Sequence, residues 1–516
     1  MLSRNLLWLV VTTLLSLACY QKAQWNRHAA TLSEAMTLIE RHYVEPVDQR
    51  TLYEGAMRGM ASRLDPYSDY IPPREYAEFR QVLDQRFGGI GVMVQRDPQS
   101  HLLTVISPLA DSPASRAGLR EGDVILAIDG QEIGEEPLAD IVQRIHGPVG
   151  SQVQLRVRHL DTEQPVELEL LRAEIRTDSV LGDSRRADGS WNFFLDDDPR
   201  ILYVRITTFG ERTADELRQA LRSVNAQGEP AAAVIIDLRD NVGGLLPAAI
   251  ATCDMFVSQG TIVSTRGRQG VETRRYEAQP DLEIAAHVPL AVLINRSSAS
   301  ASEIVAACLQ DHARAVIVGQ RSWGKGTVQN IIELEGGNSA LRLTTASYWR
   351  PSNRNIHRVK DAPETVDWGV TPDPDGAVDI PTALWEQVQR YRQYRDRFPS
   401  ARRPAPAEPP SPPPPPANPP SAASPSTDTT EPARVEPQRE EPNRGEPKPD
   451  ATSNRPAVNE PATNVPATNE PVESEPAVSG ASQDGAANRE DRPTDPPPAV
   501  DDPQLRRAID IVRRRL

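Results

Sequence analysis

Along the first part of the chain apolar residues return every three or four positions. Leu32, Ala35, Met36, Leu38 and Ile39 form one stripe and Leu52, Ala56, Met57, Met60 and Leu64 another, which predicts two short amphipathic helices within residues 31–83. Pro46, Pro66, Pro72 and Pro73 punctuate them, and Asp65-Pro66-Tyr67-Ser68 reads as a turn ahead of Tyr76-Ala77-Glu78-Phe79. Near Arg86 the period falls to two. Strands are predicted at 91–94 and 102–106, then a turn, strand and tight turn over 117–130, a helix over 138–145 and a strand over 153–158. Beyond Asp178, strands at 201–206, 232–238, 288–294 and 315–318 alternate with helices at 214–224, 246–257 and 301–311. Continuous apolar strands joined by helical crossovers imply a layered α/β core with parallel strands.

After Phe398 the pattern stops. No aromatic residue follows, and residues 401–503 hold more than half of the chain's 48 prolines among Glu, Ser, Asn and Ala. Such a composition buries too little apolar surface to offset the entropy of ordering, so the segment is predicted to be disordered. Glu460-Pro461-Ala462-Thr463-Asn464 and Pro466-Ala467-Thr468-Asn469-Glu470-Pro471 are low-complexity near-repeats, not a solenoid. At the other end, Arg4 precedes an apolar run over 6–18 that has the length of a signal-peptide core. Export to a cell envelope is the expectation. Ser16-Leu17-Ala18-Cys19 resembles a bacterial lipoprotein cleavage site with Cys19 as the lipid-bearing residue, although Ser16 stands where a larger aliphatic is usual. Removal, lipidation and retention as a membrane anchor stay open.

The net charge of −15, with no concentrated basic face, argues against nucleic acid as the main partner. Three cysteines, at 19, 253 and 308, have neither metal-ligand nor redox spacing. They exclude a disulfide framework but leave a single Cys253–Cys308 bridge open, and no metal site is expected.

In an α/β core reactive groups collect where a strand ends and the next helix begins. Two junctions stand out. Asp237-Leu238-Arg239-Asp240-Asn241-Val242-Gly243-Gly244 carries two glycines that free backbone N–H groups to point into a cleft. Asn295-Arg296-Ser297-Ser298-Ala299-Ser300-Ala301-Ser302-Glu303 sets hydroxyls at the positive end of a helix dipole. Serine needs a base, and none of the eight histidines has a triad setting. Lys325, in Gly324-Lys325-Gly326-Thr327-Val328-Gln329, lies one helix and one strand after Ser300, where the chain returns to the same edge of the core. Burial of its amine would lower the pKa into the range of a general base. Ser297, Ser298 and Ser302 read more simply as helix caps or polar packing, Cys308 as core, and Glu303 as a surface residue complementing the dipole.

The strand, turn and helix order from Arg86 resembles a bacterial PDZ domain, with Gly88-Gly89-Ile90-Gly91 where that family keeps its carboxylate-binding loop. Over residues 31–385, the Asp-Leu-Arg-x-Asn-x-Gly-Gly, Ser-Ala-Ser-Ala-Ser-Glu and Gly-Lys-Gly-Thr-Val-Gln motifs and Gly369-Val370-Thr371-Pro372-Asp373 occur in the order of the C-terminal processing peptidase (tail-specific protease) family, which the chain resembles. The resemblance implies Ser300 as nucleophile, Lys325 as general base and Gln329 as the residue orienting the lysine. It also implies an oxyanion hole from Gly243 or Gly244 with Ala301. Asn353, after Pro351-Ser352, departs from the family's usual glycine but tolerates positive φ.

The expected architecture is multidomain α/β. A signal peptide or anchor spans 1–25, an N-terminal helical segment 26–83, an inserted β-rich PDZ domain 84–175 and a crotonase-like protease core 176–398. A disordered Pro-rich linker (399–502) and a closing helix (503–516) complete it. The implied activity is cofactor-free endopeptidase action on proteins with apolar C-termini, with self-association through the helical segments as a further expectation. Two other readings compete: an inactive scaffold that captures protein tails through the PDZ domain, and a carrier of hydrophobic small ligands. The latter has no use for a buried lysine beside a serine.

Overall fold

The computed structural model describes residues 27–397 and 498–516, apart from 98–99, 110, 163, 187, 360–361 and 364, together with 8, 10–14, 16 and 463–464. Cys19 and most of the Pro-rich segment lie outside the described residues. Among the described residues no helix is long and apolar enough to cross a membrane.

Helix α1 (Arg27–His42) buries none of its residues and leaves Leu32, Leu38 and Ile39 exposed. Helix α2 (Gln49–Ala61) starts on Asp48, whose carboxylate accepts the Thr51 N–H. Asp65 shapes the turn that follows by accepting the N–H groups of Tyr67 and Ser68 at 2.8 and 2.9 Å. A short strand, β1 (Asp69–Ile71), and a third helix, α3 (Pro73–Asp84), come next. Periodicity had indicated only two helices here. β1 pairs with a strand formed some 270 residues later, a contact that local pattern does not report.

The second domain runs β2 (Arg86–Gly89), β3 (Val92–Arg96), β4 (Leu103–Pro108), β5 (Val124–Ile128), α4 (Leu138–Ile145), β6 (Gln152–Arg158), β7 (Val166–Leu171) and β8 (Ala173–Arg176). Its main antiparallel sheet has the order β3-β4-β5-β6-β7, with β3 at the edge. Ile90, Leu103, Val105, Ile125, Ile141, Leu155 and Val157 form its core. β2 and β8 pair where the chain enters and leaves, so Gly88 and Gly89 face Glu174 and Ala173 in a ladder where an open loop was expected. A Cβ on Gly88 would stand 2.1 Å from the Gly147 carbonyl oxygen, so only glycine permits that approach. Gly91, at φ +70°, makes the turn into β3.

The third part comprises β9 (Val180–Leu181), β10 (Ile201–Ile206), α5 (Thr213–Leu221), β11 (Ala233–Asp237), α6 (Leu246–Asp254), β12 (Thr261–Arg266), β13 (Glu272–Glu277), β14 (Leu290–Ile294), α7 (Ala301–Asp311), β15 (Val316–Gly319), β16 (Thr327–Leu334), β17 (Ser339–Trp349), α8 (Thr382–Arg395) and α9 (Pro503–Arg513). One sheet has the order β9-β10-β11-β14-β15, parallel from β10 onward. A second has the order β1-β17-β12-β13, with β16 also on β17. Side chains alternate across a strand, and both faces of the parallel sheet are apolar. Leu202, Val204, Val234, Ile236, Val292 and Ile317 pack with helices α5, α6 and α7. Ile201, Tyr203, Ile235, Leu293, Val316 and Val318 pack against Ala508, Ile511 and Val512 of α9. The closing helix thus supplies the layer on the second face. Elsewhere, Thr463–Asn464 pairs with Gly244–Leu245. Cys253 on α6 and Cys308 on α7 are buried free thiols, so the bridge left open by their spacing is not formed.

Candidate active site

Ser300 stands immediately before α7, fully buried, at φ +60° and ψ −114°. A serine held at positive φ stores strain of about 1–3 kcal/mol, and surrounding contacts must fix it. Glu303 supplies the main one. Its Oε2 accepts the Ser300 N–H at 2.8 Å and the Lys325 N–H at 2.8 Å, while Oε1 accepts the Gly324 N–H at 2.7 Å and the Ser322 hydroxyl at 2.5 Å. One carboxylate therefore gathers the backbones of both candidate dyad residues. Burial pushes the Glu303 pKa up, and these four donors pull against that push. The expectation of a surface residue complementing the dipole is corrected: Glu303 is completely buried.

Lys325 is 3% exposed. Burial is the main cause that lowers its pKa from 10.5 to about 7; the Arg342 guanidinium adds to the shift, and Glu303 and Asp65 oppose it. The Tyr67 ring centroid lies 5.2 Å from its Nζ. The flanking glycines allow close packing. A Cβ on Gly326 would stand 2.2 Å from the His357 nitrogen, and one on Gly324, at φ +89°, 2.7 Å from Arg358 Cβ.

Gln329 is buried at a register shift between β16 and β17, a bulge of the kind that re-aims a side chain. Its Nε2 donates to the Thr327 and Thr344 hydroxyls at 2.8 and 3.2 Å, leaving the buried amide oxygen with no hydrogen-bond partner among the described residues. Thr344 in turn donates to Asp65 at 3.1 Å. The early turn over 65–68 thus forms part of this site. The motifs gave no sign of it, since β1 and the residues around it reach the site only through pairing with β17.

The loop after β11 closes the other side. Gly243, at φ +111°, approaches so closely that a Cβ would stand 3.0 Å from Ser300 Oγ, and one on Gly244 would stand 2.2 Å from the Phe209 carbonyl oxygen. The Gly243 N–H donates to Asn241 Oδ1 at 2.8 Å; Gly244 pairs with Asn464, and Ala301 opens the first turn of α7. Ser298 and Ser302 donate to the carbonyls of Leu238 and Asn241, both at 2.8 Å, and the Ala299 N–H donates to the Asn241 carbonyl at 3.0 Å. Both serines are polar packing, as their positions suggested, and they bind the glycine loop to the serine loop.

Beneath this loop lies a buried ion cluster. Arg239 donates to Asp237 through Nε and Nη2 at 2.9 and 2.6 Å, and to both oxygens of Asp502 at 3.0 and 2.9 Å. Tyr203 donates to Asp237 at 2.7 Å and Arg392 to Asp502 at 3.2 Å. Among the described residues no group of His, Cys, Asp and Glu could hold a metal ion.

Comparisons with known proteins agree on one family. The model of peptidase family S41 matches residues 200–375, that of the PDZ domain residues 104–159, and that of the activating protease CtpB N-terminal domain residues 16–73. A carboxy-terminal-processing protease of Bartonella bacilliformis is 36% identical over 342 residues, covering 66% of this chain and 75% of that protein. A carboxyl-terminal-processing protease of Synechocystis sp. is 34% identical, covering 64% of this chain and 74% of its own. Among solved structures, the photosystem II D1 C-terminal processing protease is 29% identical with a TM-score of 0.37, covering 67% of this chain and 92% of that one.

Proposed function

Because the chain belongs to peptidase family S41 and carries the PDZ domain of its carboxy-terminal-processing members, we propose that it is an exported serine endopeptidase that engages protein C-termini through residues 84–175 and cuts in the crotonase-like core of residues 176–398. In this reading the neutral Lys325 amine takes the Ser300 proton as Oγ attacks the scissile carbonyl carbon. Backbone N–H groups of Gly244 and Ala301 receive the developing oxyanion at the positive end of α7. The lysine ammonium then protonates the leaving amine, an acyl-serine remains, and the same amine activates the water that releases it. Gln329 turns its unpartnered oxygen toward the ammonium and orients it.

The observation that carries this reading is the junction at Glu303, where the backbones of Ser300 and a nearly dry lysine meet on one oxygen. The Ser300 bond is the reciprocal half of a helix capping box; what a structural cap does not require is the Lys325 N–H on the same oxygen. For the PDZ domain, the free edge of β3 just after Gly91 suits addition of an extended peptide strand, with Ile90 and Gly91 nearest its terminal carboxylate. The apolar run over 6–18 supports delivery to the bacterial envelope, and the exposed stripe of α1 supports self-association.

Incubation with an unfolded protein ending in apolar residues tests the core of the proposal. Intact protein is expected to cleave it, whereas Ser300→Ala and Lys325→Ala leave it whole and still melt cooperatively. Undiminished turnover by either variant refutes the dyad. Tail binding without cleavage by the intact protein establishes the scaffold instead.

A further inference from the structure

The ion cluster below the glycine loop is assembled from two distant parts of the chain. Asp237, Arg239 and Arg392 belong to the core, and their side chains are 4%, 1% and 13% exposed. Asp502 arrives across the Pro-rich segment and is 8% exposed. Its carboxylate accepts both terminal nitrogens of Arg239 and one of Arg392, and it also caps α9 by accepting the N–H groups of Gln504 and Leu505 at 3.2 and 3.0 Å. Gln504 adds a bond from Arg239 at 3.1 Å and donates to the Val378 carbonyl at 2.9 Å. Two carboxylates balance two guanidinium groups only while Asp502 is in place. Without it two cations share one anion in a dry site, a situation that proteins relieve by rearranging or admitting water.

Arg239 is also part of the loop it supports. Its N–H donates to Asp237 at 3.0 Å, and four residues later the chain reaches the Gly243 that touches Ser300. Asp240, between them, exchanges hydrogen bonds with Asn295, at the start of the serine loop, at 2.9 and 2.7 Å. A shift of Arg239 would therefore reach both loops. The apolar contacts of α9 stand on the same sheet, whose second face it covers.

We infer that α9 is a detachable positioning element of the active site: seated through Asp502 it holds the 237–244 loop in its competent form, and unseated it leaves the peptidase folded but slow. Asp502 is a positioning residue, acting through Arg239 and touching no substrate. The inference rests on the assignment of Ser300 and Gly244 above. The Pro-rich segment over 399–502 gives the helix a long tether, within which, among the described residues, Thr463–Asn464 pairs with Gly244–Leu245. A flexible chain of that length spans on the order of 50–60 Å, which keeps the helix at an effective concentration somewhat below the millimolar level of short linkers.

The test uses the full chain. Asp502→Asn is expected to lower kcat by on the order of 100-fold, as sub-ångström to ångström misplacement does, with KM nearly unchanged. Asp502→Glu recovers part of that loss, and Arg515→Ala, an exposed position just past the helix and outside the cluster, leaves kcat intact. In a second arm, a recognition sequence for a site-specific protease is placed within the linker and cut after purification. Activity should then fall on dilution and return on addition of a synthetic peptide of residues 499–516, but not of the same peptide carrying Asp502→Asn. An unchanged kcat in Asp502→Asn overturns the positioning role, and activity of the cut enzyme that is independent of dilution overturns detachment. The peptide arm decides the positioning role even if the Asp502→Asn chain fails to fold. Absence of cleavage by the intact protein would instead strike the dyad assignment itself.

Discussion

Keeping the Lys325 amine dry carries a cost in stability whose sign can be worked out. Its pKa falls from 10.5 to about 7 on folding. Between those values the unfolded chain binds a proton that the folded chain does not, so stability rises with pH across that window and the penalty is constant below it. A shift of this size corresponds to at most about 4–5 kcal/mol. Lys325→Met is therefore expected to raise Tm at pH 7 by roughly 5 °C or more, with the gain shrinking toward pH 10; a lower Tm at pH 7 would contradict a dry amine. With the neutral amine as the proposed base, the same pKa would set the acidic limb of activity: kcat/KM should rise through about pH 7 and vanish with the protonated form. Glu303→Gln sets an NH2 group against backbone N–H donors. It should destabilise the protein by about 1–3 kcal/mol in denaturant titration and reduce kcat even where folding survives. Of these residues Ser300 and Lys325 could be picked out from sequence because each sits inside a short motif. Glu303 was misjudged because an acid in a helix's first turn is ordinarily solvated, and its burial depends on Ser322 and Gly324 arriving from elsewhere.

At the level of elements, what could be read followed from local periodicity. The alternating strands and helices of the parallel sheet, and the strands and helix of the PDZ domain that were read from sequence, lie within a few residues of their expected limits, because amphipathic period and glycine turns are properties of short windows. β1 and α3 were not separated in advance, since β1 exists only by pairing with β17. The role of α9 was likewise hidden. Strands with no polar face called for cover on both sides, but nothing in residues 201–318 says that the second cover lies beyond the linker. Ile511, packed with Tyr203, Ile235 and Leu293, tests that role: Ile511→Ala should cost about 2–4 kcal/mol in urea unfolding. A cost near zero would mean that the helix is not seated in solution.

For the whole molecule, the long linker weighs little on the energetics. Closure entropy grows only with the logarithm of loop length, so excising the first half of the Pro-rich segment, before the paired Thr463–Asn464, should change the unfolding free energy by about 0.6 kcal/mol. Its kcat should match that of the parent. A large loss of either would show that the excised stretch makes contacts of its own. The layer that completes the parallel sheet also dictates an order of biogenesis. At roughly 5–20 residues per second, a ribosome finishes the strands that will need α9, the last of them ending at Gly319, about 10–40 s before it reaches that helix at Pro503. During the interval a nascent chain has Ser300 and Lys325 but not the helix proposed above to seat the 237–244 loop, and one halted or clipped within the linker would stay in that condition. On the proposal above, the peptidase would stay slow until its last helix is made, with no separate inhibitor required.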